Sequence, residues 1–427
     1  MTAESAPPMP TPTPPVPPTP SGIVRTRSRI IGLDGARGLS CLGVAVMHVT
    51  AHFSPHTAAT WKTNLVGLSL IFFYVLSGFL LFLPYVRKLT EQRSSLSMPS
   101  AANFAVHRIA RILPGYLAIF LICNYVFQVV YVQNASLQPA ATDDGTGMIT
   151  DPWQLLANLT LVHSYIPQYF QTGLNPSWSL TLEYAFYVCV PLLGWMLFAL
   201  RKRTSMRPLL LALVAPLILI VISFIGRSFV PLMVERAGLT DRLLIEWGPN
   251  WVAVFTKSLL TNADTFAVGM LAAVLIVAME QDAVRERLSR RVRLYSTLGL
   301  FPSLVATALL LKFASHFATT AIAVLCALSL LVIVAPLARG QDSAIARHLD
   351  SAPLRFVGKV SLSAYLWHFP LMLLLGRWGL MAGDSVPGML RNVVVVLIVT
   401  LLVSTVTYYL VEQPAMNWAK RYRARWA

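Results

Sequence analysis

Long apolar stretches dominate this chain and leave few folds open to it. Ten runs of about 18 or more mostly apolar residues follow one another along the sequence. They lie near residues 33–53, 64–86, 109–132, 178–200, 208–226, 252–279, 294–312, 316–337, 357–379 and 388–412. Charged residues make up only 12% of the chain, about half of what a soluble protein carries. These features predict an all-α fold, a polytopic membrane helix bundle of about ten transmembrane helices.

The basic residues predict the orientation of the bundle. Lys and Arg number 34 against 18 Asp and Glu, and 26 of the 34 fall in segments that are cytoplasmic if the amino terminus is inside. The longest outer connection, about residues 133–177, contains no Lys or Arg. Because cytoplasmic loops retain Lys and Arg, we expect amino and carboxyl termini in the cytoplasm. We interpret the positive charge in this way rather than as nucleic-acid binding.

The same reasoning divides the chain into three parts. The proline-rich composition of residues 1–29 predicts a disordered cytoplasmic tail. The membrane domain is predicted to span residues 30–412. A basic cytoplasmic tail is predicted for residues 413–427. The amino-terminal segment lacks the order of a secretory signal, so we expect the first apolar run to remain as a span. Within the outer connection, Asp151 and Pro152 predict the start of an interfacial helix around Trp153 to Tyr165.

Ionisable residues inside predicted spans are the first candidates for function. Arg37 and His48 are eleven residues apart, which places them on one helix face about 16 Å apart. A cationic anchor at the cytoplasmic mouth and a base deeper in the membrane suit a long substrate with an anionic head. The alternative is that Arg37 follows the positive-inside rule and that His48 is a packing histidine.

Two further groups extend this candidate site. Glu183 enters from the outside and reaches a depth similar to that of His48, so it is predicted to contact His48 and raise its basicity. Its alternative role is to pair with a structural cation. Arg108 and Arg111 share one helix face at headgroup level, where guanidinium groups suit either a phosphorylated substrate or lipid phosphate.

The ninth apolar run is unusually polar, and His368 within it is a second candidate base or a substrate ligand. Tyr365 and His368 are equally consistent with hydrogen bonds between helices. The candidate substrate contacts are Asp34, Tyr74, Trp178, Tyr365 and His368. The four cysteines are scattered singly, and neither a metal-binding nor an ATP-binding motif is present. We therefore expect no metal, and homodimer formation is left open.

Several ordered motifs resemble those of one family. They are Leu33-Asp-Gly-Ala-Arg37-Gly-Leu followed by His48, Phe-Phe-Tyr74-Val-Leu-Ser77-Gly78-Phe, Arg108-Ile-Ala-Arg111-Ile-Leu-Pro114, Trp178-Ser-Leu-Thr-Leu-Glu183, Ser363-Ala-Tyr365-Leu-Trp-His368 and Glu412-Gln-Pro414. In this order they resemble the acyltransferase 3 family of integral-membrane O-acyltransferases, over nearly the whole chain after residue 30.

The resemblance implies transfer of an acyl group from acyl-coenzyme A to a hydroxyl, usually on a sugar. It implies that His48 is the catalytic base and that Arg37, Arg108 and Arg111 serve the donor or the integrity of the site; the role of Glu183 is our own inference. Some family members carry a fused extracytoplasmic domain, and we expect this chain to be a standalone enzyme. The expected acceptor is a small secondary metabolite such as a macrolide antibiotic, or a cell-envelope glycan, at a bacterial plasma membrane.

Two alternatives remain at this point. Acyl transfer can proceed directly or through a covalent acyl-enzyme, which ping-pong kinetics would reveal. A transporter or flippase for a polar or lipid-linked substrate would also fit ten spans with central polar residues.

Overall fold

The computed structural model describes residues 29–313 and 315–426. The predicted disordered tail lies outside the described residues, apart from Arg29. In chain order, the α-helices are α1 (Leu33–Phe53), α2 (Pro55–Trp61), α3 (Leu70–Leu89), α4 (Ala101–Leu121), α5 (Pro152–Leu159), α6 (Trp178–Arg203), α7 (Pro208–Ala212), α8 (Val214–Ala237), α9 (Arg242–Trp247), α10 (Trp251–Thr256), α11 (Leu259–Glu280), α12 (Glu286–Phe313), α13 (Ser315–Ala338), α14 (Ala344–Leu349), α15 (Ala352–Arg377), α16 (Val386–Thr407) and α17 (Gln413–Trp426). Short 3-10 helices span Thr63–Ser69, Arg93–Ser95, Ala135–Leu137, His163–Tyr165, Pro167–Tyr169 and Asn175–Ser177. The π-helical turns are Ile122–Phe127 and Tyr408–Glu412. The described strands are β1 (Val130–Tyr131) and β2 (Thr146–Gly147), which pair antiparallel.

The predicted all-α membrane bundle is confirmed. Eight helical segments of the described chain are long and apolar enough to cross a membrane. The helices α1 and α15 have 21 and 26 residues, but they fall outside this set of eight. Both carry ionisable side chains along their length, and they pack against each other. The total of ten spans and the placement of the termini therefore stay predictions.

Glycines bring α1 and α15 into close contact. A Cβ added to Gly358 would lie 2.0 Å from the carbonyl oxygen of Asp34, and one added to Gly38 would lie 2.8 Å from the amide nitrogen of Gly358. Only residues without a side chain permit this backbone approach. The contact fixes the relative position of the two helices that carry the candidate site.

A second glycine crossing joins α3 to α11. A Cβ on Gly78 would lie 2.0 Å from the carbonyl oxygen of Phe266, and one on Gly269 would lie 1.9 Å from that of Val75. The Ser77-Gly78 segment of the sequence therefore acts in helix packing, as its small residues indicate.

A buried ion pair connects α8 and α11. The Arg227 guanidinium donates to Asp264 at 2.6 Å, and the two side chains are 4% and 0% exposed. Thr320 of α13 accepts a hydrogen bond from Arg227 and donates to the second oxygen of Asp264, both at 2.5 Å. Both charges are thus satisfied within the bundle, so Asp264 has a structural role.

The outer connection is packed into the helices rather than spread over them. The predicted start of its helix is confirmed, because Asp151 caps α5 by accepting from the amide of Gln154 at 2.7 Å. The helix ends at Leu159, earlier than predicted. After it, residues 170–174 are all buried. Arg377, at the end of α15, pairs with Asp143 at 2.6 Å and donates to the carbonyl of Phe127, which holds the β1–β2 ribbon to the bundle.

Candidate functional site

Two histidines from distant parts of the chain meet between α1 and α15. Nδ1 of His48 lies 2.9 Å from Nε2 of His368, within hydrogen-bond distance. The rings are stacked, with centroids 5.1 Å apart and planes inclined by 16°. His368 is fully buried, whereas His48 is partly exposed. A proton on Nδ1 of His48, donated to His368, leaves the second nitrogen of His48 with a free lone pair.

Aromatic side chains surround this histidine pair. Phe369 packs edge-on against His48 with ring centroids 5.2 Å apart, and it also contacts His52 and Tyr131. Tyr131 belongs to β1, so the outer connection borders the site.

An arginine-lined cavity of about 100 Å³ lies between α1, α3, α4, α6 and α15. Arg37, Arg108 and Arg111 all line it, which matches the shared face predicted from the spacing of the last two. Glu183 also lines it. Among the described residues, Arg108 and Arg111 have no ion pair within 4 Å, whereas Arg37 contacts Asp34 at 3.4 Å. The cavity therefore carries excess positive charge and suits an anion.

The predicted contact between Glu183 and His48 is wrong. Glu183 accepts a hydrogen bond from Tyr187 at 2.5 Å and faces the cavity that Arg37 lines. The prediction assumed that α6 begins at the outer edge of the membrane. The preceding segment is instead buried among the helices, where the carbonyl of Pro176 accepts a hydrogen bond from Tyr365 at 3.2 Å, and α6 carries Glu183 to the arginine-lined cavity.

Tyr365 lies between the arginine-lined cavity and the histidine pair. It lines the cavity, its hydroxyl is hydrogen-bonded to Ser179 at 2.7 Å, and its ring centroid is 5.8 Å from that of His368. Tyr74 also lines the cavity and packs on Phe266. The two predicted groups of residues are thus neighbours through a tyrosine.

Two other predicted contacts lie elsewhere or act differently. Trp178 does not line the cavity; its ring packs against Trp247 at 5.2 Å. Asp34 does not line the cavity, and its carboxylate contacts the guanidinium of Arg37. Glu412, in the π-helical turn that follows α16, accepts a hydrogen bond from Ser363 of α15. This bond joins the carboxyl-terminal part of the chain to the helix that carries His368.

Sequence reasoning missed Tyr187, Ser179 and His52. Tyr187 follows Glu183 by four residues and His52 follows His48 by four, so both share a helix face with a predicted site residue. This spacing of four residues could have identified both side chains from the sequence. For Ser179, which contacts a residue 186 positions away, the sequence held no such signal. No group of three or more potential metal ligands occurs within the described residues.

Comparison with known proteins identifies the family. The family described as "Acyltransferase domain" matches residues 30–409. The chain belongs to this acyltransferase family. It is similar to acyltransferase MdmB of Streptomyces mycarofaciens, with 30% identity over 38% of this chain and 39% of that protein. It is also similar to O-acetyltransferase OatA of Staphylococcus aureus strain NCTC 8325 / PS 47, with 21% identity over 90% of this chain and 56% of that protein.

The chain thus aligns with about two fifths and just over half of the lengths of these two relatives. No solved structure matches it. The chain is therefore a member of this acyltransferase family, and eight helical segments of its described part are long and apolar enough to cross a membrane.

Proposed function

We propose that this acyltransferase moves an acyl group from acyl-coenzyme A to a hydroxyl, with His48 as the general base. The 2.9 Å contact of His48 with His368 supports the role of His48, because it directs one ring nitrogen to a partner and leaves the other available. The partial exposure of His48 supports access by a substrate. His368 is a positioning residue that fixes the tautomer of His48.

In the proposed reaction, His48 first takes up a proton and later gives it back. The free nitrogen of His48 removes the proton of the acceptor hydroxyl while its oxygen attacks the thioester carbonyl. The carbon–sulfur bond then breaks, and the imidazolium returns the proton to the departing thiolate. General-base assistance of this kind contributes about 10² to 10⁴ in rate.

The arginine-lined cavity is proposed to bind the phosphates of the donor. Arg37, Arg108 and Arg111 supply three guanidinium groups against one cavity-lining carboxylate, Glu183. Guanidinium groups match phosphate oxygens in geometry and charge. Tyr187 donates a hydrogen bond to Glu183, which fixes the carboxylate that lines the cavity beside these guanidinium groups.

The proposed acceptor is a hydroxyl of a sugar-bearing small molecule, such as a macrolide, or of a cell-envelope glycan. The proposed location is the plasma membrane of a bacterium, with membrane lipids as surroundings. The name O-acetyltransferase of one relative supports a hydroxyl as the acceptor group, and the bacterial sources of both relatives support a bacterial location.

The test is acyl transfer by purified protein in lipid nanodiscs. Acetyl-coenzyme A is supplied with extracts of small metabolites or envelope glycans, free thiol is measured, and products are identified by their mass increase. We expect thiol release that depends on the extract, an almost complete loss in His48→Ala, and normal rates in His56→Ala, whose side chain is exposed on α2.

Two results would contradict the proposal. One is normal transfer by the His48→Ala variant. The other is movement of a substrate across vesicle membranes without consumption of any thioester, which would indicate the transporter instead.

A further inference from the structure

A second cavity, of about 90 Å³, lies where the start of α12 meets the end of α13. Arg290, Arg293 and Arg339 line it, and it shares no lining residue with the arginine-lined cavity of the proposed active site. We call it the α12–α13 cavity. Because it is separate from the proposed donor site, its positive charge calls for a separate explanation.

The charges of the α12–α13 cavity are only partly balanced. Asp342, which also lines it, pairs with Arg347 at 3.0 Å, and Arg290 pairs with Glu286. Within the described chain, Arg293 and Arg339 have no ion pair, and Nε of Arg339 is a buried donor without a hydrogen-bond partner. A buried donor without a partner is costly. An anion in this cavity would relieve that cost.

The cavity also lies at the boundary between the charged and the apolar parts of both helices. In α12 the basic stretch ends at Arg293, and the next turns expose Leu294, Leu298 and Phe301 by 51%, 61% and 73%. The apolar run of α13 continues to Ala338, and Arg339 follows directly after the helix. In a membrane, large exposed apolar side chains face the acyl chains of lipids. The coincidence of the two boundaries therefore places the cavity at headgroup level.

We propose that the α12–α13 cavity binds the phosphate of an anionic phospholipid. Arg293 and Arg339 would contact the phosphate oxygens, and the acyl chains would lie along the exposed apolar face of α12. The exposed apolar face of α12 favours a lipid over free phosphate, because only a lipid has acyl chains that can pack against it.

The experiment compares lipids retained by the full chain. Protein is reconstituted in nanodiscs of equal parts phosphatidylglycerol and phosphatidylcholine, and the lipids that remain bound after extraction are counted by native mass spectrometry. We expect preferential retention of phosphatidylglycerol. Loss of a charge-assisted hydrogen bond to a phosphate lowers affinity by about tenfold or more, so Arg293→Gln should lower the preference by about that factor and Arg293→Gln with Arg339→Gln by more.

Arg287→Gln is the matched control, since this exposed arginine lies on the same helix but outside the cavity. It should keep the preference. An equal loss in Arg287→Gln would show a general surface charge effect and overturn the proposal, as would an unchanged preference in Arg293→Gln. Inorganic phosphate is added in a further arm. Displacement of the lipid by excess phosphate as effectively as by soluble phosphatidylglycerol would overturn the choice of a lipid.

Discussion

At the scale of single residues, the two histidines of the pair differ in exposure, and the proposed mechanism gives each of them a different role. His48 is partly exposed and therefore suited to meet a substrate, whereas the fully buried His368 can act only through His48. The spacing of Arg108 and Arg111 was enough to predict that they share a helix face, and both line the same cavity. The contact of His48 with His368 joins residues 320 positions apart, and no local pattern predicts such a pair.

The positioning role of His368 predicts a graded loss of activity. We expect His368→Ala to lower kcat by about 10²-fold, because the proton of His48 then lacks its acceptor. His368→Gln should recover part of the rate, since its amide oxygen can accept the same hydrogen bond. Steady-state kinetics of both variants, with His56→Ala as the control, test this order. Equal rates for wild type and His368→Ala would refute the role.

The arginine-lined cavity predicts a change in donor binding. Removing one charge-assisted hydrogen bond costs about 1.5–3 kcal/mol, so Arg108→Gln should raise KM for the acyl-coenzyme A by tenfold or more with a smaller change in kcat. Arg203→Gln, an exposed arginine at the end of α6, should leave KM unchanged. If both variants give the same KM, Arg108 does not contact the donor.

At the scale of elements, the buried outer connection decides where α6 begins. Within it, Ser177 donates to the carbonyl of Leu174 at 2.6 Å, so the contact of Ser177 with His163 at 3.1 Å is one in which His163 donates. This serine is not activated by its histidine, and the pair stabilises the loop. Composition placed residues 133–177 outside the membrane but carried no information on their burial, which is why the position of Glu183 was mispredicted.

Burial of His163 predicts a pH dependence of stability. Burial lowers the pKa of His163 to about 4, whereas an unfolded histidine has a pKa of about 6.5. As pH falls from 6.5 to 4, the unfolded chain takes up a proton that the folded chain does not, so the free energy of unfolding decreases, by at most about 3 kcal/mol.

This dependence is measurable as the apparent Tm in detergent at pH 7.5 and pH 5. Replacement of His163 by Gln keeps a donor for Ser177 but cannot titrate, so we expect its Tm to fall less with pH than that of wild type. His56→Gln, which changes an exposed histidine, should follow wild type. An identical fall in all three proteins would exclude His163 as the cause.

At the scale of the whole molecule, apolar runs predicted the helices well, because burial in lipid requires long apolar segments with internal backbone hydrogen bonds. The first run and α1 cover the same residues, 33–53. The runs could not show which helices touch. Those neighbours are set by long-range features such as Gly358 against Asp34 and the buried pair of Arg227 with Asp264.

The buried pair predicts a large effect on global stability. Arg227→Met leaves Asp264 charged and without its partner inside the bundle, which should cost about 3–5 kcal/mol of unfolding free energy. The matched control is Arg242→Met, which removes a pair with Glu246 whose arginine is 74% exposed and should cost at most about 1 kcal/mol. Unfolding in mixed micelles measures both. Similar losses in the two variants would show that burial does not strengthen this pair.

The polar character of α1 has a consequence for biosynthesis. This helix leaves the ribosome early, yet the partner that covers its ionisable face, α15, is made some three hundred residues later, and His48 and His368 are 320 positions apart. Until then, only helices made before α15, such as α3, are available to cover that face. The contact between His48 and His368 can therefore form only near the end of translation, and a nascent chain released before α15 lacks it.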